Sequence, residues 1–526
     1  MLNTSITSKI YPSVLILLLL TSNVMINQGS IEKLTDTTSI RGNPAIISNG
    51  DYFDAYNLFI IERRSMVDYK SVDKTLYLTD MGGNIIIEKD IGLDGFMSVE
   101  FLNSTTLLYG NYFGAFLWNI ETDETEQLGF KGHHEYERNE ANDTYFTLHP
   151  YIIENQGTEY LYDQIAEYTP NGTLVWSVNM GDFIPFSHWC PYEDLEIGGV
   201  SDVTHANSIS YDQDQDVIYV SCRNTNTFYK IDHKTGSLLW SLGEHGDFTM
   251  RDIYGNIKDI LFYHGHALEI TSENSFIYFD NDEHNQTDNL NHHSRIIEII
   301  IDENTMTANT TYEFSSPKNY HTAWWGDADL LPNGNKLGTF GTHGHEGETT
   351  IGARLVEVNS ESEIVWEMYF PKEGDIAGGV YRMERVSLSP IIQIDPLYWI
   401  KSGEKAIINW EAFYNFRNKY PMNGSYKLYF EEELIEQSEL DFKKYWQPTS
   451  LSVDLGYLED GNYNLTIVIK DESGHQNTEQ INVQISENPP ETVNKSRFQP
   501  LYLVISLFVV SAISLRRKKL IFMPDD

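Results

Sequence analysis

Histidines recur just before successive predicted strands in the middle of the chain, and they are the residues best suited to chemistry. They are His133 and His134, His205, His264 and His266, His321, and the pair His343 and His345. A neutral imidazole can act as a nucleophile, and each ring can exchange a proton near neutral pH. Imidazole is also a common ligand of transition metals. A cluster of these side chains could therefore support group transfer or metal binding.

The segment 204–243 indicates which elements would position these side chains. His205 and Asn207 precede two short strands with the period-two alternation of a half-buried sheet, and a Lys-Thr-Gly turn and Trp240 follow. Comparable strands that contain a tryptophan occur at 115–124, 171–179, 235–243 and 361–369. Repeats of roughly 50 residues are typical of β-propellers. The spacing predicts a six-bladed β-propeller over residues 50–390, whose blade-entry loops would bring the histidines to one central channel.

Residues 391–486 predict a second all-β domain. Alternating strands are joined there by Gly, Asp and Asn turns. The closing pattern of a Gly-x-Tyr strand, an Asp-x-x-Gly turn and a final strand resembles immunoglobulin-like or fibronectin-like modules. We expect a β-sandwich that acts as a spacer or binds a partner.

The two ends of the chain predict export and anchoring. Residues 1–30 have the charge, apolar core and polar end of a secretory signal peptide. Residues 487–500 read as a stalk, and 501–515 form an uncharged apolar run. The basic tail 516–526 follows at once, which the positive-inside rule places in the cytoplasm. The pattern predicts a cell-surface protein held by a C-terminal transmembrane helix.

Two further features fit an exported chain. Sequons for N-glycosylation are frequent and lie at Asn103, Asn142, Asn171, Asn285, Asn309, Asn423, Asn464 and Asn494. The two cysteines, Cys190 and Cys222, lie on either side of His205. Outside the cell they could form a disulfide that braces this loop, or they could be two buried thiols, since spacing alone does not decide between these states.

The formal net charge of −41 limits the partners of the chain. Nucleic acids and anionic membrane surfaces are themselves polyanions, so the sequence predicts binding to neither. An anionic small-molecule substrate would require a pocket that is locally cationic.

Several motifs together resemble the bacterial arylsulfotransferase family, whose members work without the nucleotide sulfate donor PAPS. The first is His205-x-Asn207-Ser208 before a strand pair. The others lie further along the chain: His266 followed by Phe279-Asp280-Asn281, a strand led by Arg295, and the stretch 324–341 with its Gly-Asp and Leu-Pro-Asn-Gly-Asn elements. The resemblance covers about residues 133–384.

The resemblance implies ping-pong transfer of a sulfuryl group from a phenolic sulfate ester to a phenolic acceptor through a sulfohistidine, without a cofactor. It implies catalytic roles for His205, His266 and either His343 or His345. Asn207 and Arg295 would hold the sulfate oxygens, and His134 and His264 are further candidates for binding the substrate. Glu283, His284 and Asn285 stand where the family often has an arginine, so Arg223 is an alternative to Arg295.

Two other functions remain open from the sequence. A metal-dependent hydrolase could use His264-Gly-His266, His343-Gly-His345, Asp327 and Asp329 as ligands. A non-enzymatic propeller could serve as a binding scaffold on the cell surface, which the sequons, anchor and second domain also fit. Stoichiometric metal in the purified protein would favour the hydrolase.

Overall fold

The computed structural model describes residues 40–92, 98–111, 113–193, 196–197, 199–285, 292–341 and 352–489. Within these ranges the chain forms 37 strands, four short 3-10 helices and no α-helix, which confirms the all-β prediction. The predicted signal peptide, transmembrane anchor and basic tail lie outside the described residues. The described ranges contain no helix with the length and apolarity needed to cross a membrane.

The strands of the first half follow one another through short turns. They are β1 (Ala45–Ser48), β2 (Tyr56–Ser65), β3 (Ser71–Thr79), β4 (Ile85–Asp90), β5 (Val99–Asn103), β6 (Thr106–Asn111), β7 (Gly114–Asn119), β8 (Thr125–Gln127), β9 (His133–Asn139), β10 (Thr144–Asn155), β11 (Thr158–Tyr168), β12 (Leu174–Asn179), β13 (Glu196–Ile197), β14 (Val200–Asp202), β15 (Ala206–Asp212), β16 (Val217–Cys222), β17 (Thr227–Asp232) and β18 (Leu238–Gly243). The 3-10 helices among them are η1 (Met180–Asp182), η2 (Phe186–His188) and η3 (Arg223–Thr225).

The second half continues the same pattern. Its strands are β19 (Thr249–Arg251), β20 (Ile257–Lys258), β21 (His266–Ser272), β22 (Ser275–Asp280), β23 (Arg295–Asp302), β24 (Thr307–Ser315), β25 (Asp327–Leu330), β26 (Lys336–Phe340), β27 (Arg354–Val358), β28 (Ile364–Tyr369), β29 (Ile376–Val386), β30 (Ile391–Gln393), β31 (Leu397–Lys401), β32 (Lys405–Phe413), β33 (Met422–Phe430), β34 (Glu433–Phe442), β35 (Thr449–Tyr457), β36 (Gly461–Asp471) and β37 (Gln476–Ser486). Helix η4 (Lys318–Tyr320) precedes β25.

Six sheets of at least four strands are built from β1 to β29, and β14 and β19 add to two of them in parallel. Their strand orders include β29-β2-β3-β4, β5-β6-β7-β8, β9-β10-β11-β12, β15-β16-β17-β18, β21-β22-β23-β24 and β25-β26-β27-β28. The sheet of β2 receives its first strand from the far end of this region, with Leu58 opposite Glu384 and Phe59 opposite Met383. Strand β1 likewise adds to the edge of β28. The two ends of the region are thus held together by backbone hydrogen bonds.

The first strands of neighbouring sheets contact one another. The Tyr211 amide in β15 donates to Glu137 Oε1 in β9 at 3.2 Å. The Ser210 hydroxyl donates to the Leu268 carbonyl in β21 at 2.9 Å. Side chains at corresponding ends of these strands therefore face a common space, and this arrangement brings the histidines together.

Aromatic side chains fill the layers between sheets. Phe228 of one sheet packs against Phe276 of the next with ring centroids 5.5 Å apart, and Trp240 packs against Phe228 from within the same sheet at 6.0 Å. Trp240 is 4% exposed. The tryptophan that ends the repeated strand therefore belongs to the core, and it stabilises the contact between sheets that positions the site.

Strands β30 to β37 form two further sheets, in the orders β30-β32-β35 and β31-β37-β36-β33-β34. Their buried faces include Trp410, Leu428 and Ile467, which belong to one hydrophobic cluster with Leu58 and Leu107 of the first two sheets. The C-terminal sheets are therefore packed onto the N-terminal ones through a continuous apolar core.

The loop between β32 and β33 carries two cations into the space between the first strands. Arg417 forms an ion pair with Glu269 in β21 at 2.6 Å and donates to the Ile270 carbonyl at 2.5 Å. Lys419 pairs with Glu100 at 2.7 Å and also contacts Glu137. Glu137 and Glu269 lie further along β9 and β21 than His134 and His266 do. The two cations therefore occupy the end of this space that is remote from the histidine cluster.

His475 links the C-terminal sheets to the turn after β7 and makes stability pH-dependent. Its Nδ1 lies 2.8 Å from Asp471 Oδ2 and its Nε2 3.1 Å from Glu121 Oε1. The hydrogen bond to Asp471 raises the pKa of His475 to about 9. Because the pKa is raised on folding, this contribution to stability is complete below about pH 6.5 and is lost as pH rises through about 9. Thermal unfolding from about pH 7 to about pH 10 should show a steeper loss in the native chain than in His475→Asn. Parallel curves would contradict this assignment.

Candidate active site

The residues that enter the first strands share an unusual backbone conformation. His134, His205, His264 and Trp325 have φ angles of 62°, 45°, 52° and 67°. The left-handed region is uncommon for residues other than glycine, and such strain of about 1–3 kcal/mol per residue is concentrated at functional sites. The recurrence of histidine before successive predicted strands thus corresponds to a recurring backbone geometry.

His205 is oriented by an aspartate at the end of β14. Its Nδ1 lies 2.6 Å from Asp202 Oδ2, and its backbone amide donates to Asp202 Oδ1 at 3.2 Å. An imidazole that donates from Nδ1 to a carboxylate presents Nε2 for proton transfer, and the carboxylate stabilises the imidazolium that forms. His205 therefore has the arrangement of a general acid–base.

His266 is oriented by an asparagine whose own direction is fixed. Asn281 Nδ2 donates to the carbonyls of Thr322 at 2.7 Å and Trp325 at 2.8 Å, so Asn281 Oδ1 must accept the 2.7 Å hydrogen bond from His266 Nδ1. The lone pair of His266 is consequently on Nε2. Burial, followed by the positive charge of Arg223, holds the pKa of His266 well below its usual range. His266 is therefore a neutral imidazole with a nucleophilic nitrogen.

Two more histidines extend the cluster. The His134 ring lies 5.2 Å from that of His205, and its Nδ1 is 2.7 Å from Nδ1 of His133. His133 Nε2 is 3.1 Å from Asp163 Oδ1. Burial and the neighbouring His133 hold the pKa of His134 well below its usual range. The cluster thus combines uncharged imidazoles with carboxylates that can stabilise one added proton.

Tyr381 and Arg382 of β29 belong to the same space, and the sequence reasoning missed them. The Tyr381 ring lies 6.1 Å from His134, 6.5 Å from His266 and 5.9 Å from Trp325. Arg382 donates to the Asn207 carbonyl at 2.8 Å and pairs with Glu135. The signal that could have revealed them is a Tyr-Arg pair close after Gly378 and Gly379 in a strand near the end of the predicted propeller.

Of the two predicted arginines, the structure brings only Arg223 to the histidines. Arg223 is buried at η3, and its charge contributes to the lowered pKa of both His264 and His266. The guanidinium of Arg295 is instead directed to Asp280, to Glu313 at 3.3 Å and to the Leu261 carbonyl at 2.9 Å. Asp280 and Glu313 thus hold several donors of Arg295, and its predicted role in binding sulfate stays a prediction.

Asn207 has a positioning role in this structure. Its Nδ2 donates to the Gly265 carbonyl at 2.9 Å, and the side chain is fully buried. It therefore holds the segment between His264 and His266, and its predicted contact with sulfate stays a prediction. Gly265 is needed there for packing, since a Cβ would lie 2.4 Å from the Tyr278 ring.

The predicted disulfide is absent, since Cys190 and Cys222 are both free and buried. Cys222 ends β16 in the core, where its sulfur lies 4.0 Å from the sulfur of Met180. The Cys190 sulfur is directed elsewhere, 3.8 Å from His284 Nδ1. The alternative of two buried thiols is the one the structure bears out.

The residues considered for a metal hydrolase fall into separate groups in the described part of the chain. Asp327 and Asp329 lie with Glu384, whereas His264 lies with Cys190 and His284. Burial raises the pKa of both aspartates well above their usual range. His343 and His345 lie outside the described residues, so their predicted catalytic roles stay predictions.

Comparison with known proteins identifies the family. The profile of the Arylsulfotransferase (ASST) family matches residues 71–382, more than half of the chain. The chain therefore belongs to the arylsulfotransferase family. This membership confirms the resemblance read from the sequence, and it places the chain among aryl sulfotransferases in general. No curated protein matches the sequence significantly.

Solved structures resemble the chain only distantly. Hydrazine synthase of Kuenenia stuttgartiensis shares 10% identity, with 61% of this chain and 76% of that chain covered and a TM-score of 0.30. The extracellular domain of a protein described as a hybrid two component system of B. thetaiotaomicron shares 9% identity, with coverages of 84% and 58% and a TM-score of 0.29. A CARDB domain from Pyrococcus furiosus shares 9% identity, with coverages of 19% and 94% and a TM-score of 0.16.

Proposed function

We propose that the chain is a PAPS-independent aryl sulfotransferase whose histidine cluster carries the sulfuryl group between two phenols. The observation that carries this proposal is the hydrogen-bond chain that leaves His266 neutral with its lone pair on Nε2. We further propose that the six sheets of residues 50–390 are blades of a propeller and that residues 391–486 are a β-sandwich. In a propeller the cluster would lie at the axis, where blade-entry loops converge.

In the first half-reaction, a histidine nitrogen attacks the sulfur of an aryl sulfate. An N–S bond forms, the S–O bond to the phenol breaks, and the leaving oxygen takes a proton. His205, with Asp202 behind it, is placed to supply that proton as a general acid. The nucleophile is His266 by the geometry above, or His343 or His345 by the resemblance to the family.

In the second half-reaction, the acceptor phenol reverses these steps. His205 removes the phenolic proton, the phenolic oxygen attacks sulfur, and the N–S bond breaks to restore the neutral histidine. Arg223 lies beside His264 and His266, and its NH1 is held by Glu193 and by Asn224 Oδ1 at 2.7 Å. Its other donors would stabilise the negative charge on the sulfuryl oxygens.

The setting of this activity is proposed as the cell exterior. The signal-like residues 1–30, the apolar run 501–515 and the basic tail 516–526 support an exported enzyme tethered at its C-terminus. The sequons of the ectodomain support glycosylation. No nucleic acid partner and no cofactor is part of the proposal.

The test is incubation of the purified full chain with a chromogenic aryl sulfate and a phenol, without PAPS. We expect phenol release that depends on the acceptor, together with a sulfated acceptor as product. With donor alone, peptide mapping should find one SO₃ adduct on a single histidine. Release without an acceptor would indicate a hydrolase, and no release with several donors would favour a binding scaffold.

A further inference from the structure

Three side chains from three separate loops meet beside the histidine cluster. They are Cys190 from the segment after η2, His264 before β21 and His284 after β22. Each offers one ligand atom, and the three atoms lie within 4.8 Å of one another. The cysteine and His264 are buried, and the His284 side chain is 24% exposed. The sites of sulfuryl transfer proposed above do not use this group.

Two of the three distances within this group are close to those of a tetrahedral metal centre. His264 Nε2 and His284 Nδ1 are 3.2 Å apart, and Cys190 Sγ is 3.8 Å from His284 Nδ1. With Zn–N bonds of about 2.0–2.1 Å and a Zn–S bond of about 2.3 Å, tetrahedral geometry requires about 3.3 Å between nitrogens and about 3.6 Å between sulfur and nitrogen. These two distances therefore need to change by only a few tenths of an ångström, and the ligand atoms of Cys190 and His264 lie within 4.8 Å of each other.

The outer nitrogens of both rings also face carboxylates. His264 Nδ1 lies 3.4 Å from Glu193 Oε2, and His284 Nε2 lies 3.8 Å from Glu283 Oε1. Metal-bound histidines usually direct their other N–H to such a carboxylate, which fixes the tautomer and makes the bound nitrogen a better donor. His264 Nδ1 is buried and lacks a hydrogen-bond partner of good geometry in the structure, so a small rotation toward Glu193 on metal binding would satisfy it.

Backbone contacts hold the loops of these ligands in place. The Cys190 amide donates to the Asn224 carbonyl at 2.8 Å, and the His264 amide donates to Asn226 Oδ1 at 2.8 Å. His284 has a left-handed φ of 59°, which aims the turn after β22 back toward the cluster. The ligands are thus presented by the fold rather than by flexible chain, as a binding site requires.

We propose that Cys190, His264 and His284 bind one transition-metal ion of the zinc class. A thiolate with two imidazoles selects borderline-soft ions such as Zn²⁺ over Mg²⁺ or Ca²⁺. Three protein ligands leave a fourth position for water or another small ligand. The site is distinct from the hydrolase considered from the sequence, since it uses neither His266 nor the aspartates.

Cobalt substitution tests the proposal without reference to activity. The full chain is freed of metal with a chelator and titrated with Co²⁺ alone. We expect one equivalent to bind with a thiolate-to-cobalt charge-transfer band and with the d–d absorption of tetrahedral cobalt, and Zn²⁺ should displace it. Cys190→Ala should abolish the charge-transfer band, and His284→Ala should weaken binding by at least about tenfold.

Two matched variants test whether the other buried thiol or the nearby group of carboxylates binds the metal instead. Cys222→Ala removes the other buried thiol and should leave the titration unchanged. Asp329→Asn disrupts the carboxylate group at Asp327, Asp329 and Glu384 and should also leave it unchanged. Failure to bind Co²⁺ or Zn²⁺, or binding that survives Cys190→Ala, would overturn the proposal. Because the readout is spectroscopic, a failure to bind metal would not contradict the proposed sulfotransferase activity. An absence of that activity would likewise not contradict metal binding.

Discussion

Replacement of His205 by alanine is expected to lower acceptor-dependent sulfuryl transfer by about 10²–10⁴-fold, the range that a general acid–base contributes. The physical reason is the loss of an imidazole whose Nδ1 lies 2.6 Å from Asp202 Oδ2 and which therefore presents Nε2 for proton transfer. The measurement is the steady-state rate with a chromogenic aryl sulfate and a phenol at saturating concentrations.

Asp202→Asn gives a second, milder perturbation of the same unit. It keeps the size of the side chain but removes the charge that stabilises the imidazolium, so the rate should fall while donor binding is retained. The matched control is His475→Ala, a histidine paired with Asp471 in the C-terminal sheets, which should leave the rate per folded molecule unchanged. A His205→Ala enzyme with the native rate would exclude the acid–base role.

Replacement of Arg385 by methionine is expected to destabilise the fold by about 3–5 kcal/mol, because it leaves a buried carboxylate without its cation. Arg385 and Glu357 are both fully buried, and Arg385 NH1 lies 2.8 Å from Glu357 Oε2. The same arginine donates to the Phe53 carbonyl and lies over the Trp366 ring at 5.1 Å. It thus joins the segment before β2 to the sheet of β28. Urea unfolding of the native chain and the variant measures the loss.

Two companion variants test the cause of that loss. Arg385→Met combined with Glu357→Met should recover much of the stability, since a buried ion pair can often be replaced by apolar side chains of similar volume. Arg138→Met breaks a partly exposed pair with Asp143 and should cost no more than about 1 kcal/mol. Equal losses for Arg385→Met and Arg138→Met would contradict the role of burial.

Local sequence patterns predicted the strands better than their long-range partners. The two hairpins of 205–243 are where β15 to β18 lie, because turn residues and period-two alternation determine neighbouring strands. Nothing in the local pattern of Tyr56–Ser65 indicated that its partner would be Ile376–Val386, more than three hundred residues away. Pairing at such separation depends on the packing of all the intervening sheets, which no short window contains.

The candidate site shows the same difference between local patterns, which the sequence revealed, and long-range contacts, which it did not. Histidines were detectable because imidazole is rare and its position before each strand recurs, and family membership supports the motif of His205. Cys190 and His284 are 94 residues apart, with the sheet of β15 to β18 between them, so no spacing rule joined them. A carboxylate holds each of the two arginines, Glu193 for Arg223 and Asp280 for Arg295, and only Arg223 acts on the pKa of His264 and His266. Such pairing of an arginine with a distant carboxylate can be seen only in the folded structure.

The cations of the β32–β33 loop have a consequence for the order of events in the proposed reaction. Arg417 and Lys419 occupy the far end of the space between the first strands, where their buried ion pairs with Glu269 and Glu137 fix them. In the proposed propeller, cations that close this end of the channel would leave a pocket with a single entrance. The phenol released from the donor must then leave by the way the acceptor enters, so the two cannot pass each other. Donor and acceptor would then bind in turn, because the phenol must leave the pocket before the acceptor can enter. The sulfuryl group would stay on the enzyme between these two steps.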